Sequence, residues 1–307
     1  MINFTATDDL SKLLVHLEGA YASNTLRAYK VDMLEFIDYC VRVGAAALPS
    51  SPATVSNFLM QTVGQGIKTS TIRRKAASIS AVHRLSSLDD PIKHAEVKIA
   101  LRKISRQLGC RFEQAYPVTR TVLDQLIQAC SEDLRGLRNK ALLLLAYDSL
   151  RRRSELVSLR LSDIDWLPNQ TCSILLRKSK TDQQGSGKWI HLTAETTRAL
   201  RQWVSESKII DGHLIRAIHP SGEIASSLCE SRIPRIYKSL AKRAHLSEEA
   251  ISGISGHSMR VGGAQDLMSQ GASLPQIMVK GGWAKTDTVM RYVERIRTNP
   301  IHNILHG

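Results

Sequence analysis

The chain has 307 residues with 43% hydrophobic and 23% charged side chains, the composition of a folded globular protein of about two domains. Lys plus Arg number 42 against 28 Asp plus Glu, a net charge of +14 that points to a polyanionic partner. No apolar run approaches the roughly 20 residues of a membrane span; there is no signal-peptide pattern, and five dispersed cysteines without a CxxC suggest neither a disulfide frame nor a zinc site, so the expectation is a cytoplasmic protein without a metal.

The N-terminal third reads as helices. Thr25, Leu26, Tyr29, Met33 and Phe36 form one amphipathic stripe, and Val55, Phe58, Leu59 and Val63 another. Gly64 and Gly66 interrupt the pattern before a strongly basic segment: residues 68–111 carry net +8, against −2 for residues 1–67. Within it, Ser70 or Thr71 is placed as the N-cap of a helix whose core face holds Ile72, Ala76, Ile79 and His83. Arg73, Arg74 and Lys75 are expected to point away from that face. Arg27, Lys30, Lys68, Ser70, Thr71, Arg73, Arg74 and Lys75 are therefore the candidate DNA-contacting residues. A further helix is placed at Lys93–Leu108. Gly109 to Pro117 breaks the pattern, giving a helical DNA-binding domain over 1–110, a linker at 111–117 and a second domain over 118–307.

In the second domain, Val122, Leu126 and Ala129 suggest a helix, Arg138 to Leu150 a strongly apolar one, and Ser154 to Leu159 a third. Thr171–Leu176 and Trp189–Leu192 read as two strands around a polar turn that holds Ser179, Asp182, Gly185 and Gly187. Helical patterns are expected from Thr193 to the end.

Three clusters carry chemistry: Leu150-Arg151-Arg152-Arg153-Ser154-Glu155-Leu156, Gly256-His257-Ser258-Met259-Arg260, and Gly281-Gly282-Trp283 with Tyr292 nine residues on. The turn Lys178-Ser179-Lys180-Thr181-Asp182 lies between the first two in the chain. In this order the clusters resemble the tyrosine recombinase (phage integrase) family, weakly over residues 1–110 and strongly from about 137 onward. Most integrases carry His where this sequence has Trp283, so the resemblance favours the Trp-bearing branch.

The chemistry asks for these residue types. Attack on a phosphodiester builds negative charge on the nonbridging oxygens, and planar guanidinia match it bidentately. The resemblance implies Arg152 and Arg260 as that pair, Tyr292 as nucleophile, His257 as base, Lys180 as the acid that protonates the leaving 5′-hydroxyl, Trp283 as an indole N–H donor and Glu155 as an orienting carboxylate. His257 lies three residues before Arg260 and is expected on the same helix face. Arg151 and Arg153 compete with Arg152, although Arg152 sits two before Ser154. Lys178 competes with Lys180, and Tyr147 and Tyr237 with Tyr292.

The resemblance further implies a mainly α fold: an N-terminal helical core-binding domain and a C-terminal mixed α/β catalytic domain with a small β-sheet. Its expected partner is double-stranded DNA with inverted repeats around a short spacer, held by a homotetramer that uses no cofactor. Ile296, Ile301, Ile304 and Leu305 would form a terminal oligomerisation helix. A type IB topoisomerase would share the same residues, and a catalytically inactive DNA-binding regulator is the alternative of another class.

Overall fold

A computed structural model describes residues 4–109, 113–179, 182 and 185–294. The chain divides into two compact units, Met1–Phe112 and Glu113–Gly307. The first is all helical: α1 (Phe4–His16), α2 (Ser23–Val43), α3 (Pro52–Gln61), α4 (Thr69–Leu85) and α5 (Ala95–Leu108). Helix α1 has no counterpart in the sequence reading, and Lys93 belongs to a short 3-10 turn ahead of α5. Local chemistry sets the boundaries. The Ser51 hydroxyl accepts from Thr54 N–H and Pro52 opens α3, while Gly44, at φ 68°, ends α2 in the left-handed region. Met33, Phe36, Val55, Phe58, Leu59, Ile72, Ile79, Val97 and Ile104 fill the core.

Helix α4 corrects two expectations. It begins at Thr69 with Lys68 in the N-cap position, so neither Ser70 nor Thr71 caps it. Lys75 is buried, 3% exposed, where it was expected to face outward. It donates to Glu35 and lies 5.6 Å from the Phe58 ring centroid. Position 75 is three residues after Ile72, and i, i+3 positions share a helix face. Arg74 is half exposed and donates to the fully buried Asp32 at 2.6 Å. The Ser78 hydroxyl donates to the same carboxylate. A polar layer thus joins α4 to α2 and takes up cations that the sequence assigns to DNA.

The second unit contains α6 (Arg120–Gln128), α7 (Leu134–Ser149), α8 (Arg153–Ser158), β1 (Ile164–Trp166), β2 (Cys172–Leu176), β3 (Lys188–Leu192), α9 (Ala194–Ser207), α10 (Arg232–Arg243), α11 (Glu248–Gly253), α12 (Ser258–Ser269), α13 (Leu274–Gly281) and α14 (Thr286–Val293). The antiparallel sheet has order β1-β2-β3, with Ile174 opposite both Ile164 and Ile190. Strand β1 was not anticipated. The helical run expected from Thr193 onward is interrupted: residues 208–231 form turns and short bridges, such as Arg160 with His213. The fold is mainly α with a small sheet, as the motifs imply. Helix α7 supplies the centre of the core through Ala141 to Ala146, packed on α9, α12, α6 and β3. A smaller cluster of Leu150, Ala264, Ile277, Trp283 and Val289 lies under the C-terminal helices.

Candidate active site

Leu150 ends α7 at φ 53°, a left-handed conformation uncommon for a residue with a side chain. The three arginines that follow have different surroundings. Arg151 is buried; its guanidinium donates to Ser149 O at 2.9 Å and to Lys280 O. Arg153 is exposed and stands 3.8 Å from Glu230. Arg152 lies between these extremes, at the N-cap of α8, with a side chain 21% exposed. Its Nη1 donates to Glu155 Oε1 at 2.7 Å and its backbone N–H to Oε2 at 2.9 Å. One carboxylate therefore caps the helix and orients the guanidinium. Burial pushes Glu155 upward, but these hydrogen bonds and the charges of Arg152 and Arg260 outweigh it and hold the carboxyl below its ordinary value.

Arg260 lies in the first turn of α12 and is 1% exposed. It donates to Leu150 O and, at 3.3 Å, to Gly281 O. Its guanidinium carbon sits 4.5 Å from the centroid of the Trp283 ring. Burial and the nearby Arg152 charge lower its pKa to about 10, partly offset by Tyr292 and Glu155, so it stays charged at neutral pH. Glycines make room for this packing. A Cβ on Gly263 would lie 2.5 Å from a Leu150 methyl, and one on Gly281 would lie 1.8 Å from the Trp283 ring.

His257 is the N-cap residue of α12, with αR backbone angles, and is exposed, whereas Arg260 three residues on is buried. Trp283, 7% exposed, follows Gly282, whose φ of 65° closes α13. The Trp283 and Tyr292 rings meet edge-on, 5.7 Å apart at 71°. Arg152 is thus bonded to Glu155, Arg260, Trp283 and Tyr292 are joined by ring contacts, and the charge of Arg260 reaches the Glu155 carboxylate. Lys180 lies outside the described residues. The turn beside it is organised by Asp182, which accepts from the N–H groups of Gly185, Ser186 and Gly187. The tail at 296–305 also lies outside the described residues.

The competing tyrosines have other surroundings. The Tyr147 hydroxyl donates to Asp266, and burial with this bond pushes its pKa up. Tyr237 is 1% exposed and likewise raised by burial.

Other anchors were not read from the sequence. Successive carbonyls at the end of α13 accept from three cations: Val279 from Lys188 Nζ at 2.5 Å, Lys280 from Arg151, and Gly281 from Arg260. The negative end of that helix dipole thus faces the cationic site. Lys280 itself donates to Asp148 at 3.0 Å, and Gln265 and Gln114 both donate to Tyr292 O. The Gly281-Gly282 step was the visible trace of this helix end; the others carry no local signature.

In the first unit, Arg27, Lys30, Lys68, Ser70 and Arg73 are exposed and Thr71 is half-buried. Arg27 donates to Asn24, and Arg73 to Ser105 across to α5.

The model of the phage integrase family matches residues 117–297, and that of the phage integrase N-terminal SAM-like domain matches residues 12–86. The chain belongs to the phage integrase family. It is 31% identical over 290 residues to an integrase/recombinase XerD homolog from Selenomonas ruminantium, covering 91% of this chain and 84% of that protein. It is 28% identical over 309 residues to the recombinase Cre of Escherichia phage P1, covering 94% and 90%. Its fold resembles XerH site-specific recombinase bound to a palindromic difH substrate, with TM-score 0.69 and 17% identity over 95% of this chain and 82% of that one. The Tn1549 transposon integrase in complex with transposon right end DNA gives TM-score 0.68 and 15% identity over 98% of both chains. This family member is a tyrosine recombinase, an enzyme that cleaves and rejoins DNA strands.

Proposed function

We propose that the chain is a site-specific recombinase that cleaves DNA through a 3′-phosphotyrosine on Tyr292 and exchanges strands through a Holliday junction. The observation that carries this reading is the convergence of Arg152, on its Glu155 carboxylate, with Arg260, Trp283 and Tyr292. In the cleavage step Tyr292 Oη attacks the phosphorus and gives its proton to His257. The bond to the 5′-oxygen breaks, and Lys180 supplies the proton to that leaving group. Arg152 and Arg260 neutralise the charge growing on the nonbridging oxygens, with the Trp283 indole N–H as a further donor. The phosphotyrosine keeps the energy of the broken bond, so a 5′-hydroxyl from another strand reverses the step without ATP. Arginines and a lysine supply the charge that a metal supplies elsewhere.

The same reading extends to assembly. Four protomers would hold two duplexes, each with inverted repeats around a short spacer. The domain over 1–110 and the catalytic domain over 118–307 would clamp the DNA, with the apolar tail at 296–305 joining neighbours. Lys68, Ser70 and Arg73, exposed with Arg27 and Lys30, would meet phosphates.

Selection of bound DNA from a random pool, followed by a cleavage assay on the winning sequence, tests this. Inverted repeats around a short spacer, cut at defined positions, are the expected result. A site without symmetry, or supercoil relaxation without site preference, would overturn it in favour of topoisomerase chemistry.

A further inference from the structure

Tyr292 lies in the last turn of α14, where backbone carbonyls have no partner within the helix. Its carbonyl nevertheless receives two amide donors from separate parts of the second unit. Gln265 Nε2, on α12, donates at 2.8 Å, and Gln114 Nε2, in the segment before α6, donates at 3.0 Å. Gln265 is 7% exposed, so this bond is sheltered from water, and its helix also carries Arg260 five residues earlier. The segment holding Gln114 is itself pinned along α11 and α12. Tyr116 N–H donates to Gly253 O at 2.9 Å, Val118 N–H to Ser258 O at 3.1 Å, and Arg120 N–H to Asp266 Oδ2 at 2.6 Å. Gly262 permits the approach: a Cβ there would lie 1.9 Å from Val118 O.

We propose that Gln265 and Gln114 are positioning residues for the nucleophile, fixing the Tyr292 backbone relative to Arg260 while the T-shaped contact with Trp283 fixes its ring. In-line attack is sensitive to placement at the ångström scale. A helix of eight residues, Thr286–Val293, has little stiffness of its own. Two amides on one carbonyl, one of them on the helix that carries Arg260, supply the missing constraint. The segment ahead of α6 thereby takes part directly in seating the nucleophile. The inference rests on Tyr292 being the nucleophile.

The test is single-turnover cleavage of a half-site duplex by Gln265→Leu, Gln114→Leu, their double variant and Gln265→Glu, with melting temperature and DNA affinity measured alongside. Each Leu variant should lower the cleavage rate at saturating DNA by about tenfold, and the double variant by more, with affinity within about twofold. Gln265→Glu preserves shape, but its carboxylate cannot donate. It should be slow at pH 7.5 and recover relative to wild type as pH falls toward 5, where the protonated acid donates to the same carbonyl. Wild-type cleavage by the Leu variants, a parallel loss of affinity, or a Gln265→Glu profile matching wild type at every pH would overturn the proposal. Tyr292→Phe serves as control. An adduct formed by that variant would remove the underlying reading, whereas adduct loss there with wild-type rates in the Gln variants would remove this inference alone.

Discussion

Arg260 and Trp283 form a buried pair, the guanidinium 4.5 Å from the ring centroid, and the same indole meets the Tyr292 ring in a T-shaped contact. One indole therefore contacts both the buried arginine and the proposed nucleophile. Trp283→Phe keeps an aromatic face but loses the N–H donor. It should slow single-turnover cleavage by about tenfold with little change in melting temperature. Trp283→Ala also opens a cavity beside Leu150, Ala264, Ile277 and Val289. It should cost about 3–5 kcal/mol of stability, read from denaturant unfolding, with a larger loss of cleavage.

The consecutive arginines should separate by phenotype. Arg152→Ala removes the proposed phosphate ligand and should lower cleavage by about 100-fold or more, with a smaller loss of stability of about 1–2 kcal/mol because Glu155 keeps only the backbone N–H of residue 152. Arg151→Ala leaves Ser149 O and Lys280 O without a donor and should mainly destabilise, by about 2–4 kcal/mol. Arg153, exposed beside Glu230, should tolerate Ala with less than about twofold change in either. Cleavage kinetics and thermal melting on the three variants check the assignment.

Glu155 gives a pH signature. Its carboxyl is held below the ordinary value of 4.5, so its ionised form stabilises the fold above that pH, and the stabilisation disappears as pH falls through the lower folded value. Glu155→Gln should melt lower than wild type at pH 7, with the gap closing below about pH 4. A gap that stays constant with pH would mean that Glu155 acts through shape alone.

Salt dependence distinguishes cations that meet DNA from those that meet protein. Lys68→Ala or Arg73→Ala should reduce the slope of log affinity against log salt by about one. Lys75→Met should leave the slope unchanged, because Lys75 serves Glu35 and Phe58. Binding titrations at four or more salt concentrations check this.

The clusters proposed to act on DNA stood out in the sequence because each is a short run whose residue types match phosphate chemistry. The hairpin was legible because two alternating segments flank a glycine-rich turn. Lys75 was misplaced for a physical reason. Helix α4 packs on α2 through Asp32 and Glu35 as well as through apolar residues, so its buried face is wider than the Ile72, Ala76, Ile79 stripe. The anchors on the α13 carbonyls and on Tyr292 O were invisible for another reason. Backbone acceptors leave no mark in a sequence, and Gln114 lies 178 residues from its partner.

A nucleophilic Tyr292 becomes covalently joined to DNA during cleavage. The direct measurement is to trap the SDS-stable adduct on a nicked substrate whose 5′-hydroxyl fragment diffuses away, then locate the nucleotide by peptide mass spectrometry. A 3′-nucleotide on Tyr292 in the wild-type enzyme, and no adduct from Tyr292→Phe despite unchanged DNA binding, is the expected result. An adduct on another residue, or one that persists in Tyr292→Phe, would contradict it.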